Sequence, residues 1–205
     1  MARGLPCDGA MLLKSDFYRR NDILAVSREL LGKVLVTRLD GAVTAAVITE
    51  TEAYAGVGDR ASHAFGGRRT ARTEPMFAAG GIAYVYLCYG IHHLFNVVVG
   101  DAGNPLAVLI RAGEAIEGTA TILDRRRKSR PQSGLLAGPG NFARGLGITT
   151  ALTGRDLYGP SLWIEDREFV VAREDVLAGP RVGVDYAGED AQLPYRFRAL
   201  HITHR

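Results

Sequence analysis

Apolar and polar positions along the chain alternate in short runs, broken by glycine and charged clusters. Ile23, Val26 and Leu30 share one face of a short helix, capped by Asn21 or Asp22 and ended by Gly32. Residues 33–38 read as a strand, Asp40-Gly41 as a hairpin turn, and residues 43–53 as the returning strand. Residues 56–74 are polar and glycine-rich, the chemistry of a loop. Residues 83–89 and 94–99 read as a hairpin turning around Gly90, and 106–111 as a further strand. From Glu114 the spacing of Ile116, Ala120 and Leu123 predicts a helix. A second short helix follows Gly138-Pro139-Gly140-Asn141 and ends at Gly145 or Gly147. Short strands are expected at 162–164, 169–172, 182–184 and 195–198. The connections are short enough for a mostly antiparallel sheet. The expected fold is therefore α+β: one domain, 13–205, with a curved, mainly antiparallel sheet surrounded by helices, behind a flexible tail at 1–12. No internal repeat or linker divides it.

Within this pattern, 48–90 concentrates chemistry. Side chains alternate faces along a strand, so Glu50, Glu52 and Tyr54 share one face. In the later hairpin Tyr84, Tyr86 and Cys88 share a face, while Tyr89 leaves on the other, beside a glycine. A carboxylate within one hydrogen bond of a water can act as a general base. Aromatic walls suit a flat heterocycle, since stacking contributes roughly 1–3 kcal/mol per base. Taken singly, each residue has an ordinary reading: a strand-end acid, tyrosines in sheet packing, a satisfied histidine. The combination is what points to a site.

Composition narrows the classes. The chain has 205 residues, 47% of them apolar, which suffices for one globular domain. The net charge of +3 permits a nucleic-acid partner without requiring one. Of 25 basic residues only Lys14, Lys33 and Lys128 are lysines; arginine binds phosphate bidentately and stacks on planes. The basic run 125–130 reads as a solvated face, with phosphate contact as its alternative. Two cysteines, Cys7 and Cys88, do not form a disulfide framework. No metal-ligand spacing, signal peptide or membrane-length apolar run is present, so the expectations are no metal, no cofactor, no membrane and a cytoplasmic protein.

The ordered blocks are more specific than any one of them. Glu50-Thr51-Glu52-Ala53-Tyr54, Ala61-Ser62-His63, Met76-Phe77, Tyr84-Val85-Tyr86 with Tyr89-Gly90, Asn96 and Leu109-Ile110-Arg111-Ala112 open the series. Gly138-Pro139-Gly140, Arg155-Asp156-Leu157, Leu162-Trp163-Ile164, Arg181-Val182-Gly183-Val184, Tyr186-Ala187-Gly188 and Leu193-Pro194 complete it. Over roughly residues 15–200 the chain resembles the alkyladenine (3-methyladenine) DNA glycosylases, as a bacterial member. The resemblance implies hydrolytic excision of alkylated or deaminated purines, of the 3-methyladenine, hypoxanthine and ethenoadenine class, after the nucleotide is flipped out of the duplex. Glu52 would be the general base, with Arg111 near it and the flipped nucleotide's phosphate. Tyr54, His63, Tyr86 and Asn96 would form the base pocket, Asn96 crowding the 2-amino group of guanine. Tyr89 would wedge into the duplex, and Arg68, Arg72, Met76 and Asn141 would meet the DNA backbone. Thr73 and Asn141 depart from the family pattern, which usually has asparagine and often lysine there; without the charge, a phosphate contact at Asn141 weakens. No lysine falls in a site block, so hydrolysis without strand cleavage is expected. The partner would be double-stranded DNA with damaged purines, met by a monomer associated with the nucleoid. The alternatives are a non-catalytic damage-binding protein on the same scaffold and a hydrolase of small nucleosides.

Overall fold

The computed structural model describes residues 11–205. In chain order it contains β1 (Met11–Leu12), α1 (Ser15–Tyr18), α2 (Ile23–Glu29), β2 (Val34–Leu39), β3 (Ala42–Tyr54), β4 (Ala83–Cys88), β5 (His92–Val99) and β6 (Leu106–Glu117). There follow α3 (Thr119–Arg126), β7 (Leu136–Ala137), α4 (Pro139–Gly145), β8 (Leu162–Asp166), β9 (Phe169–Val170), β10 (Val176–Gly179), β11 (Arg196–Ala199) and β12 (Thr203–His204). One sheet runs β1-β8-β2-β3-β6-β5-β4, with β11 also on β3, β10 on β11 and β7 on β6. Every pairing is antiparallel, as expected from the short connections. The fold is α+β, and the sheet stays open.

β3 organises the sheet. Its first half pairs with β2, through Val34↔Val47 to Leu39↔Ala42, while Glu50, Thr51 and Glu52 pair with β11. Its other edge follows β6 throughout, with register shifts at Ala45/Ala46, Ile48/Glu50 and Glu50/Thr51. Such irregularities bend a strand and re-aim its side chains. They fall beside the two acids.

On the opposite face from those acids, Thr51 donates its hydroxyl to the Ser27 carbonyl at 2.9 Å, tying α2 to the back of the sheet. α2 forms as the pattern predicts: Asp22 accepts the Ala25 N–H at 3.0 Å, and Ile23 and Val26 are buried. The main core joins Val26, Leu30, Leu35, Ile48, Phe95, Ile110, Ile122, Phe142 and Phe197. Burying each such side chain contributes about 1.5–3 kcal/mol. This layer gives β3 and β6 a rigid back, against which the other face can be built for chemistry.

Four expectations change. Met11 and Leu12 are not tail but a short strand on β8, opposite Asp166 and Glu165; the rest of the expected tail lies outside the described residues. Residues 114–117 continue β6 rather than open a helix, because Val47, Ala46 and Ala45 on β3 offer partners to Glu114, Ala115 and Glu117. The helix starts only after Gly118, whose φ is 68° and where a Cβ would meet the Val43 carbonyl at 2.2 Å. Residues 182–184 form a bend, since Gly183 has a φ of 74°, and the strand in that region is β10 instead. Tyr54 lies within β3 rather than past its end.

Candidate active site

A cavity of about 590 Å³ opens beside β3 and β6. Tyr54, His63, Tyr84, Tyr86, Asn96, Arg72 and Arg111 are among its walls, and Tyr89, Val182, Tyr186 and Pro139-Gly140-Asn141 stand at it too. Nearly all the residues singled out from the sequence therefore converge on one place, brought there by β3, the β4–β5 hairpin, the loop after β3 and the start of α4.

Glu52 has no solvent exposure and lies behind the cavity wall, in contact with three residues that line it. One carboxylate oxygen accepts the Tyr54 hydroxyl at 2.9 Å. The other accepts the Val182 N–H at 2.8 Å and lies 3.3 Å from the Arg111 guanidinium. Burial holds the Glu52 carboxyl above its ordinary value, against the pull of Arg111, the Val182 N–H and the Tyr54 hydroxyl toward the anion. A buried anion with three donors is a carboxylate held in one orientation, and it is fit to take a proton from a water.

Glu50, two residues along β3, is a different kind of acid. Its Oε1 accepts from Arg111 Nε at 2.9 Å and from Arg196 Nε at 2.5 Å. The chain Arg196–Glu50–Arg111–Glu52 thus links β11, β3 and β6 in one polar row. Glu50 spends its charge in fixing Arg111, and Arg111 reaches Glu52.

The aromatic wall is a small network. His63 Nδ1 is 2.9 Å from the Tyr84 hydroxyl, and the His63 and Tyr86 rings meet edge to face with centroids 4.6 Å apart. Burial, helped by the positive charges of Arg72 and Arg68, lowers the His63 pKa to about 4. The imidazole is therefore neutral near pH 7. Burial also raises the Tyr54, Tyr84 and Tyr86 phenols, which stay protonated. Asn96 is 2% exposed, and its amide donates to the Tyr84 and Leu94 carbonyls at 3.1 and 3.3 Å, so its side chain is fixed at the pocket wall.

At the tip of the β4–β5 hairpin, Tyr89 and Gly90 both take left-handed backbone, with φ of 50° and 72°. This is ordinary for the glycine and uncommon for a tyrosine. The turn presents the Tyr89 ring to solvent, 90% exposed, with Ile91 and Leu87 exposed beside it. A rigid hairpin holding an aromatic ring in water has the form of a wedge for a base stack.

Over residues 16–201 the sequence matches the family model described as methylpurine-DNA glycosylase. The chain belongs to the methylpurine-DNA glycosylase family. It is similar to proteins provisionally named 3-methyladenine DNA glycosylase in several bacteria. The Desulfitobacterium hafniense protein is 45% identical over 194 residues, 90% of this chain and 93% of the relative. That of Chlamydia abortus is 43% identical over 192 residues, 93% of this chain and 99% of the relative. That of Bacillus thuringiensis is 44% identical over 189 residues, 88% and 92% of the two chains. The chain is thus a DNA N-glycosylase, and its substrate is DNA. Among the described residues no group of histidine, cysteine and acidic side chains is placed to hold a metal, and no helix is long and apolar enough to cross a membrane.

Against the expectations drawn from its residues, the glycosylase differs in places. Met76, expected at the DNA backbone, is 2% exposed, packs with Ala64, Tyr84, Val98 and Ala107, and gives its N–H to the Thr73 carbonyl at 2.9 Å. An apolar buried side chain has nothing to offer a phosphate. Asn141 is half-buried at the pocket, with its amide turned back to the Ala137 carbonyl at 2.7 Å. Arg68 and Arg72 are both exposed, and Arg72 also lines the pocket. Arg125 and Arg126 of the basic run bond to the Gly145 and Leu135 carbonyls at 3.4 and 3.1 Å and so brace α4 and β7.

Other contributors were not legible. Arg181 grips buried Asp59 with both nitrogens, at 2.5 and 2.8 Å, and also reaches the Ala53 carbonyl at 2.8 Å. Its guanidinium lies over the Tyr54 ring, 4.9 Å from the centroid. This clamp joins the end of β3 to the following loop and aims the Val182 N–H at Glu52. Arg181 lies within a family block, but nothing in the sequence pairs it with Asp59, 122 residues away.

Proposed function

We propose that this DNA glycosylase excises alkylated and deaminated purines by simple hydrolysis, with Glu52 as general base. The observation that carries this reading is the Glu52 carboxylate, fully buried and held by Tyr54, Val182 and Arg111, three residues that line the aromatic cavity. The damaged nucleotide leaves the stack at a cost of a few kcal/mol, least where damage or mispairing has already weakened it. Tyr89 fills the gap. The base enters between Tyr54, His63 and Tyr86, and Asn96 crowds the 2-amino group of normal guanine. A water held by Glu52 attacks C1′ and gives up its proton to the carboxylate. The bond from C1′ to the purine nitrogen breaks, and the electron pair leaves with the base. The developing positive charge on the sugar is stabilised by the Glu52 anion.

None of the three lysines lines the cavity, and Lys33 is ion-paired with Asp166 at the far edge of the sheet. With no lysine amine at the site, a Schiff base and strand cleavage do not follow. On this reading the protein acts as a monomer on duplex DNA, beside the nucleoid in the cytoplasm. A non-catalytic damage binder would have no use for a buried, triply held carboxylate. The test is direct: duplexes carrying 3-methyladenine, hypoxanthine or ethenoadenine are incubated with the protein, and the released base is chromatographed. Release of free base with the strand left intact is expected. Tight lesion binding with no base released would overturn the reading.

A further inference from the structure

We propose that Thr153 is a positioning residue for base capture: its hydroxyl fixes the root of the β4–β5 ribbon, so that Tyr86 and Tyr89, farther out, meet the flipped nucleotide and the duplex in one geometry. This rests on the excision reading above. β4 is the edge of the sheet, and β5 pairs with β6 only from Asn96 to Val99. From the Val85↔Phe95 pair outward, the hairpin is therefore a ribbon of two strands. Such a ribbon is marginally stable in water by itself. Yet it carries Tyr86, Cys88 and Tyr89 to the cavity. Its geometry must be fixed at the root.

The chain after α4 supplies the hold. Main chain there covers the outer edge of β4: Ala83 gives its N–H to the Arg155 carbonyl and accepts the Gly154 N–H, both at 2.8 Å. One step farther out the side chain of Thr153 takes over. Its hydroxyl donates to the Val85 carbonyl at 2.8 Å and accepts the Val85 N–H at 3.1 Å. A hydroxyl is both donor and acceptor, so one side chain replaces a strand partner where the ribbon loses β6. Val85 lies between Tyr84 and Tyr86, and its own side chain is buried in the core. Farther out, the Thr150 N–H donates to His93 Nδ1 at 3.2 Å. On the cavity side the His92 ring lies against Gly140, where a Cβ would meet it at 2.8 Å. The adjacent histidines thus tie the two faces of the ribbon to the chain around it. Thr153 is not among the cavity walls, so it acts through the residues it holds.

The experiment compares the parent with Thr153→Val, which keeps the shape and removes the hydroxyl, and with Thr153→Ser, which keeps the hydroxyl. Single-turnover excision is followed on the lesion duplexes named above, and anisotropy follows binding to an undamaged duplex. Two ordinary hydrogen bonds correspond to a factor of roughly 5 to 150, which bounds the loss. Excision by Thr153→Val should fall within that range, and Thr153→Ser should recover most of it. Binding to the undamaged duplex should hold. In a Tyr89→Ser background, Thr153→Val should cost distinctly less than in the parent, because a ribbon without its ring has less to present. Undiminished excision in Thr153→Val overturns the proposal, and so does a failure of Thr153→Ser to recover. A matching loss of binding to undamaged duplex overturns it too. An equal cost in both backgrounds also overturns it, because Thr153 is then a strap on the fold and nothing more. Should Thr153→Val not fold, His93→Leu cuts only the outer tether and carries the same test. A loss that shrinks beside Tyr89→Ser supports the proposal; no loss, or one of equal size in both backgrounds, overturns it. If the parent releases base from none of the duplexes, the excision reading fails and takes the proposal with it. If the parent releases base and only the variants depart from expectation, Thr153 alone is misassigned.

Discussion

At the scale of single residues, the two acids of β3 show how neighbours on one face acquire different work. Glu52→Gln keeps the volume but cannot take a proton from water or offset a cationic sugar. Single-turnover excision should fall roughly 10²–10⁴-fold, while DNA binding is unchanged or slightly tighter. Glu50→Gln should cost less, up to about 10²-fold, because it loosens Arg111 rather than removing the base. If instead Glu50→Gln abolishes excision and Glu52→Gln excises normally, the base is misplaced by one strand repeat. Acidity gives a second check. Burial keeps Glu52 above its ordinary value of 4.5, so on lowering the pH it takes up its proton before a free glutamate would. The active base form is then lost at a pH above 4.5, and the acid limb of the excision profile should have its midpoint there. A midpoint near 4 would belong to His63 instead. That Glu50, Glu52 and Tyr54 share a face was legible from strand alternation. That Glu50 is occupied by Arg111 and Arg196 was not, because both arginines come from other strands, 61 and 146 residues away.

At the scale of elements, the β4–β5 hairpin and the Arg181–Asp59 clamp do opposite things, one projecting into solvent and one holding from within. Tyr89→Ser should weaken capture of the extrahelical base, read by the fluorescence of a base analogue. An undiminished signal would reduce Tyr89 to a turn residue. Asp59→Ala would leave Arg181 charged and buried with only the Ala53 and Asp190 carbonyls and no counter-ion. The cost should be about 3–5 kcal/mol in denaturant unfolding, with excision weakened because the Val182 N–H loses its aim. A loss below about 1 kcal/mol would mean that water reaches the guanidinium. The hairpin was legible because its signals are local: alternating residues and a glycine turn. α2, with its Asp22 cap, was legible for the same reason. The helix expected from Glu114 failed because Ile116 and Ala120 fit helical spacing by chance, while β3 offered 114–117 a ladder that no local window contains. β1, β7 and β10 escaped notice because strands of two to four residues carry almost no pattern of their own.

For the whole molecule, charge decides how DNA is met. A net charge of +3 is a weak field, so attraction must come from where the arginines point, not from their number. Many are committed internally. Arg69 is tied to Glu74, Arg125 and Arg126 to backbone carbonyls, Arg181 to Asp59 and Arg196 to Glu50. Arg68 and Arg127 make no side-chain hydrogen bond among the described residues, and Arg68 lies in the loop that reaches the pocket through His63 and Arg72. Binding should therefore weaken with rising salt, but with a slope set by those outward arginines that border the cavity, Arg68 among them, rather than by the whole basic content of the chain. Each phosphate neutralised contributes a slope of about −0.9 in log K against log salt. Arg68→Gln should flatten that slope by about one contact and weaken binding to all duplexes alike. Arg126→Gln should leave the slope unchanged and instead lower stability, because its guanidinium braces the Leu135 carbonyl. The measurement is fluorescence anisotropy of a labelled duplex titrated from low to physiological salt with each variant. A flat response in the parent would rule out a backbone-tracking surface. A slope that flattens in Arg126→Gln and not in Arg68→Gln would place the DNA on the α3 side of the cavity rather than on the His63 loop.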